Sequence, residues 1–171
     1  WYLKIQLKGE NTMNKKLASV FMASTIFAGV LAGCAGGAKE SSGGGNSDTI
    51  KLGVNLELSG NVASYGESMA KGIEMAVEEI NKNGGVDGKT FDIVKVDNKS
   101  EAAEATNGII KLTSQDKVTA VIGAATSGNT VAQAQIANDT KTVLIAPGGT
   151  SPTVTVDEKG KVRPFVFRTS F

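Results

Sequence analysis

A regular alternation of strand-like and helix-like segments constrains the fold of residues 49–171 more than any other feature. Apolar runs typical of strands are separated by helix-like stretches of about a dozen residues, and these runs lie at 50–58, 91–96, 119–123 and 142–146. Strands joined by helical crossovers run parallel, because a tight hairpin can only join antiparallel strands. Helices cover both faces of such a sheet. The sequence therefore predicts an α/β fold with a doubly wound parallel sheet.

The limits of the helices follow from apolar periodicity and from terminating residues. The first helix is predicted over residues 67–81, where apolar residues recur every three or four positions. Gly84 and Gly85 are expected to end it, because glycine accepts the positive φ of a helix C-terminus. Ser100 is expected to cap the second helix. The third is predicted over 127–139, and a fifth strand within 162–169.

The loops that follow the predicted strands differ in composition from the loops that enter them. Gly, Ala, Ser and Thr dominate the loops at 59–67, 124–130 and 147–153, whereas the entering loops are rich in Lys and Asn. Small residues let the backbone approach a ligand, and hydroxyl groups donate and accept hydrogen bonds without charge. Ligands of open α/β sheets bind at the carboxyl ends of the strands. These three loops therefore predict a small-molecule site, with the helix N-terminus near Ser127 favouring an anion.

Composition argues against catalysis and against binding of nucleic acid. The chain has no His and a single Cys, so it lacks the commonest general base and permits neither an internal disulfide nor a cysteine-cluster metal site. Its formal net charge is +1, without a basic stripe, and no nucleic-acid partner is expected. The P-loop-like Gly88-Lys89-Thr90 leads into a strand, whereas a P-loop leaves one. We expect no enzyme, no cofactor and no metal.

Residues 13–33 have the layout of an export signal. Lys15 and Lys16 precede an uncharged, mostly apolar run of about 14 residues, which is shorter than the roughly 20 residues of a membrane-spanning helix. The stretch Leu-Ala-Gly-Cys that ends at Cys34 resembles the lipobox of bacterial lipoproteins. The resemblance implies a lipoprotein signal peptide over 13–33 and lipid attachment to Cys34 after cleavage.

Two further segments flank this signal. Residues 34–48 are rich in Gly and Ser and are expected to form a flexible tether, because they cannot bury enough apolar surface to become ordered. Residues 1–12 precede the plausible start at Met13 and carry no Met of their own. They are expected to be translated upstream sequence, which N-terminal sequencing of the precursor would test.

The sequence around the three loops resembles the substrate-binding proteins of branched-chain amino-acid ABC importers, the leucine/isoleucine/valine-binding type. The matching motifs are LSG at 58–60 with YG at 65–66, NGGVDGK at 83–89, VTAVIGAATSGNTVAQA at 118–134 and VLIAPGGTSPTVT at 143–155. The resemblance implies the type I periplasmic binding protein fold, in which two lobes close on a ligand. Residues 49–171 would be its N-terminal ligand-binding lobe, an incomplete domain whose second lobe is missing.

The resemblance also implies roles for residues in these loops. The hydroxyl of Ser127 would donate to the α-carboxylate of an amino acid, and Thr150 would contact both carboxylate and ammonium. The carbonyl of Gly148 would accept from the ammonium. The positions implied around the side-chain pocket are Tyr65, Ala125 and Thr126.

The implied function is that of an extracytoplasmic receptor for a small-molecule amino acid. It would be lipid-anchored through Cys34 at the outer face of the membrane of a single-membrane bacterium, capture leucine, isoleucine or valine, and deliver it to the ABC permease subunits. The alternative is a sensing domain for amino acids or amides that controls a signalling partner. With one lobe of the site, residues 49–171 alone are expected to bind leucine no more tightly than about millimolar.

Overall fold

The computed structural model describes residues 49–170, which build a five-stranded parallel sheet with helices between its strands. The strands are β1 (Thr49–Leu56), β2 (Thr90–Asp97), β3 (Ala120–Ile122), β4 (Val143–Ala146) and β5 (Val166–Arg168). The helices are α1 (Ala63–Lys82), α2 (Ala102–Ile110), continued by a π-helical turn (Lys111–Gln115), and α3 (Ser127–Thr140). The predicted α/β fold is confirmed. The predicted upstream segment, signal peptide, Cys34 anchor and tether lie outside the described residues.

The strand order places the end of β1 at a topological switch point. The order is β2-β1-β3-β4-β5, and every neighbouring pair is parallel. Leu52 of β1 pairs with Ile93 on one side and with Ala120 on the other. The chain therefore leaves β1 in one direction to form β2 and then crosses back to form β3. Crevices at such reversals are where open α/β sheets bind ligands.

Two apolar clusters hold the helices on opposite faces of the sheet. On one face, Val54 and Leu56 of β1 pack with Ala70 of α1. The other face carries the cluster of α2 and α3, in which Ile109 and Leu144 are fully buried. Burying one such side chain contributes about 1.5–3 kcal/mol relative to leaving it exposed. By holding the helices on the sheet, these clusters fix the positions of the loops at its carboxyl edge.

Helix α1 begins earlier than its apolar periodicity predicts. It starts at Ala63, not at residue 67, so Tyr65 lies in its first turn and not in a loop. The predicted end is confirmed, because Gly84 and Gly85 have φ of +94° and +76°. The N–H of Gly85 donates to the carbonyl of Ile80 at 2.9 Å and closes the last turn. Among residues 49–170, no helix combines the length and the apolar character needed to cross a membrane.

The prediction that Ser100 caps α2 is wrong. Glu101 occupies the N-cap position, and Ser100, with a φ of +64°, precedes it. Its hydroxyl donates to the carbonyl of Ser59 at 2.8 Å and accepts from the N–H of Val62 at 3.3 Å. Ser100 therefore ties the end of β2 to the loop after β1.

Candidate functional site

The loops after β1, β3 and β4 meet at the carboxyl edge of the sheet. Ser127, the first residue of α3, accepts a hydrogen bond on its hydroxyl from the N–H of Ser151 at 3.1 Å. Gly148 approaches Ala125 so closely that a Cβ at position 148 would overlap the carbonyl oxygen of Ala125. Two of the three segments that the sequence analysis selected, 124–130 and 147–153, are thus in direct contact, and the third follows the neighbouring strand β1 at the same edge.

A buried carboxylate, Glu57, joins the first two of these loops. It is fully buried at the end of β1. One oxygen accepts from the N–H of Ala125 at 2.8 Å. The other accepts from the N–H of Thr126 at 3.1 Å, from the Thr126 hydroxyl at 2.7 Å and from the Asn129 amide at 2.9 Å. Hydrogen bonds to a charged acceptor contribute about 1.5–3 kcal/mol each, so Glu57 is the main polar contact that orders the 125–129 segment.

The start of α3 has no side-chain cap, although the carboxylate of Glu57 lies beside it. Thr126 occupies the N-cap position, but its hydroxyl donates to Glu57 and does not cap the helix. Within the described chain, no side chain caps α3. The N–H groups of its first turn and the positive end of its dipole therefore face the sheet edge, where they favour a carboxylate by about 0.3–1 kcal/mol, or about 2 kcal/mol when partly buried.

The residues predicted to contact the ligand differ in their exposure at this edge. Ala125 is 8% exposed, whereas Thr126, Ser127 and Gly148 are half-buried. Tyr65 is 64% exposed in the first turn of α1. The exposed Thr150 has its carbonyl held by the guanidinium of Arg168. All six predicted positions lie on the loops or helix starts that meet here, and their contact with a ligand stays a prediction.

Sequence reasoning missed buried polar residues of the site. Glu57 and Asn129 were not among the predicted positions, although Asn129 is only 6% exposed. In a strand that alternates polar and apolar residues, the polar side chains ordinarily face solvent. Here β1 is an interior strand between β2 and β3, and helices cover both of its faces. A glutamate at the carboxyl end of a strand that helices cover on both faces was the signal that could have identified Glu57.

Asp97, at the end of β2, organises the loop after β1. Burial alone would raise the pKa of Asp97. The Ser59 hydroxyl and the N–H groups of Lys99, Leu58 and Ser59 donate to its carboxylate, and together they hold the pKa below its ordinary value. A carboxylate that accepts several hydrogen bonds is stabilised in its charged form.

Asp97→Asn is expected to lower the free energy of unfolding at pH 7 by about 1 kcal/mol. The folded-state pKa of Asp97 is below the unfolded one, so its contribution is complete above pH of about 4 and disappears as the pH falls through the folded pKa. The difference between wild type and variant should therefore shrink in acid. Urea unfolding at several pH values measures it. Asp92→Asn, at an exposed position of the same strand, is the control; equal pH dependence of both variants would contradict the assignment.

The fold and its loops match a known family. A model of the family described as "Periplasmic binding protein" matches residues 49–171. The chain belongs to the periplasmic binding protein family. Residues 49–170 contain no group of three or more His, Cys, Asp or Glu side chains that could hold a metal ion.

Relatives of this periplasmic binding protein include amino-acid-binding proteins. The Leu/Ile/Val-binding protein of Escherichia coli is 34% identical over 108 residues, which cover 63% of this chain and 29% of that protein. The branched-chain amino acid transporter substrate binding protein LivJ from Streptococcus pneumoniae, solved with isoleucine, has a TM-score of 0.67 and 45% identity over 72% of this chain and 34% of that one. These relatives are solute-binding proteins, so a substrate-binding role is supported.

A third neighbour binds a different kind of molecule. The solute binding protein of an ABC transporter from Rhodopseudomonas palustris, solved with 3,4-dihydroxy benzoic acid, has a TM-score of 0.63 and 26% identity. The match covers 72% of this chain and 32% of that one. The chain thus spans about a third of the length of the proteins that it matches.

Proposed function

We propose that this chain forms one lobe of the substrate-binding protein of an ABC importer for leucine, isoleucine or valine. The observation that carries the proposal is the convergence of three hydroxyl-rich loops at the switch point beside the uncapped start of α3. The isoleucine complex of the pneumococcal relative, at 45% identity, supports a branched-chain amino acid as ligand. A small zwitterion fits neutral hydroxyl and backbone groups, which can donate to its carboxylate and accept from its ammonium.

The carboxylate of the amino acid is assigned to Ser127 and to the first turn of α3. The Ser127 hydroxyl accepts from the N–H of Ser151, which leaves its own proton to donate. Thr150 lies in the same loop as Ser151 and would contact both carboxylate and ammonium. The carbonyl of Gly148 would accept from the ammonium, close to the Ala125 backbone.

The apolar side chain of the ligand is assigned to the other end of the site. The exposed ring of Tyr65 offers an apolar wall at the start of α1. Ala125 and Thr126 would complete this wall from the segment that Glu57 holds in place.

Delivery to a permease would require the protein to lie outside the cytoplasm, as is typical of its family. We assign the attachment to Cys34, because an export-signal pattern and a lipobox-like sequence precede it. Incorporation of labelled palmitate into the full chain, and its loss in Cys34→Ala, tests the anchor.

Ser127→Ala is expected to weaken leucine binding by about 10- to 100-fold, because it removes a hydrogen bond to a charged carboxylate. The measurement is an NMR titration of the ¹⁵N-labelled chain with leucine, in which amide shifts should concentrate at 125–130 and 148–151. Ser114→Ala is the control, since that exposed hydroxyl donates within its own helical turn. Absence of leucine-dependent shifts in the wild type well above the millimolar range would contradict the proposed ligand.

A further inference from the structure

We propose that Glu57 selects ligands that carry a positive charge, so that the site favours zwitterionic amino acids over purely anionic carboxylates. The inference rests on the proposed function and deepens it by naming a residue that determines the class of ligand. Its basis is a buried negative charge beside a site whose other polar groups are neutral hydroxyls and backbone atoms.

The hydrogen-bond partners of Glu57 identify it as a carboxylate without a compensating cation. All four groups that contact it are neutral donors: two backbone N–H groups, a hydroxyl and an amide. Donors reach both oxygens, which suits the ionised form, because that form only accepts. None of the ion pairs found among residues 49–170 includes Glu57. Its negative charge is therefore held by dipoles and is not neutralised by an opposite charge.

This charge lies directly behind the predicted ligand contacts. Glu57 accepts from the N–H of Ala125, and the carbonyl of Ala125 lies against Gly148, whose own carbonyl is assigned to the ammonium. Three of the four hydrogen bonds to Glu57 come from Thr126 and Asn129, which flank Ser127, so the charge opposes the carboxylate of any ligand and an ammonium on the ligand offsets that cost. At an effective dielectric constant of about 20, unit charges about 10 Å apart change a binding constant by about tenfold.

The fold itself does not decide between the two ligand classes. One solved neighbour holds isoleucine, and another holds 3,4-dihydroxy benzoic acid, which has no amino group. Both are similar to this chain over 72% of its length. Discrimination must therefore come from local charge and shape, and Glu57 supplies the local charge here.

The experiment compares leucine with 4-methylpentanoate, which has the same carbon skeleton and carboxylate but lacks the ammonium. Both are titrated into the wild type and into E57Q, and the ratio of their dissociation constants is measured by NMR. Because loss of loop order would also disturb the ammonium contact at Gly148, the ratio in E57Q is compared with the ratio in variants that keep the charge. We expect the preference for leucine to fall about tenfold in E57Q, equivalent to about 1.4 kcal/mol.

Two control variants separate charge from loop order. N129A removes one hydrogen bond to Glu57 but keeps its charge, so it should weaken both ligands and preserve the ratio. E57Q/N129D returns a negative charge to the partner atom 2.9 Å away, and it should restore the wild-type preference.

The outcomes distinguish this inference from the proposed function. If the wild type binds leucine and the ratio is the same in E57Q, the role of Glu57 is refuted while the proposed ligand stands. If the wild type binds no branched-chain amino acid, the proposed function fails. Should E57Q not fold, E57D and E57N make the same comparison with a side chain one carbon shorter. Equal ratios in that pair would also refute the inference.

Discussion

Gly66→Ala is expected to destabilise the lobe by about 3 kcal/mol. A Cβ at position 66, in the first turns of α1, would overlap the carbonyl oxygen of Glu57. Alanine within a helix ordinarily stabilises it by about 0.5–1 kcal/mol relative to glycine. Here the steric overlap reverses the sign, since either α1 or the end of β1 must move. Urea unfolding followed by circular dichroism measures the loss.

Helix α1 provides its own control for this prediction. Gly72 lies six residues further along the same helix, and a Cβ there would meet no heavy atom within 4 Å. Gly72→Ala is therefore expected to stabilise the lobe by about 0.5–1 kcal/mol. Changes of the same sign in both variants would show that the close approach at Gly66 is not what requires glycine.

Gly148→Ala is expected to weaken leucine binding at least tenfold, or about 1.4 kcal/mol. The added Cβ would overlap the carbonyl of Ala125 and would lie 2.9 Å from Cε of Met69. The side chain of Met69 can move, but the backbone of Ala125 is held by Glu57. The loops after β3 and β4 must therefore separate, and the groups assigned to the ammonium and the carboxylate separate with them.

An NMR titration with leucine measures this effect, and urea unfolding shows how much stability is lost with it. Gly128→Ala is the control for stability, because a Cβ in this first turn of α3 has open space around it. It should unfold at the wild-type urea concentration or slightly above. Wild-type leucine affinity in Gly148→Ala would mean that the close approach of the two loops does not matter for the ligand.

Much of this architecture follows from patterns in the sequence. Strands alternating with helices require parallel pairing, and parallel sheets bind ligands at their carboxyl ends. These two rules were sufficient to select the loops that contain Ser127 and Gly148. Gly84 and Gly85 ended α1 as expected, because few other residues accept their positive φ.

The remainder depends on contacts between distant parts of the chain. Periodicity did not reveal that α1 extends back to Ala63, because its first turn contains the small and polar residues that also build loops. Ser100 has the chemistry of a helix cap but bonds to a segment about 40 positions earlier. Alternation predicts that Glu57 faces solvent, but Glu57 is buried, and only the strand order shows that β1 is an interior strand.

The partners of Glu57 also bear on the order of events in folding. The acceptor and its donors are separated by 68, 69 and 72 positions in the chain. Contacts across such separations carry a high loop-closure cost, because β2 and α2 lie between the partners in the chain. If they form after the rate-limiting step, an amino acid bound at this edge would slow unfolding and leave the refolding rate nearly unchanged. A lobe that holds its ligand would then gain lifetime in the folded state without reaching that state sooner.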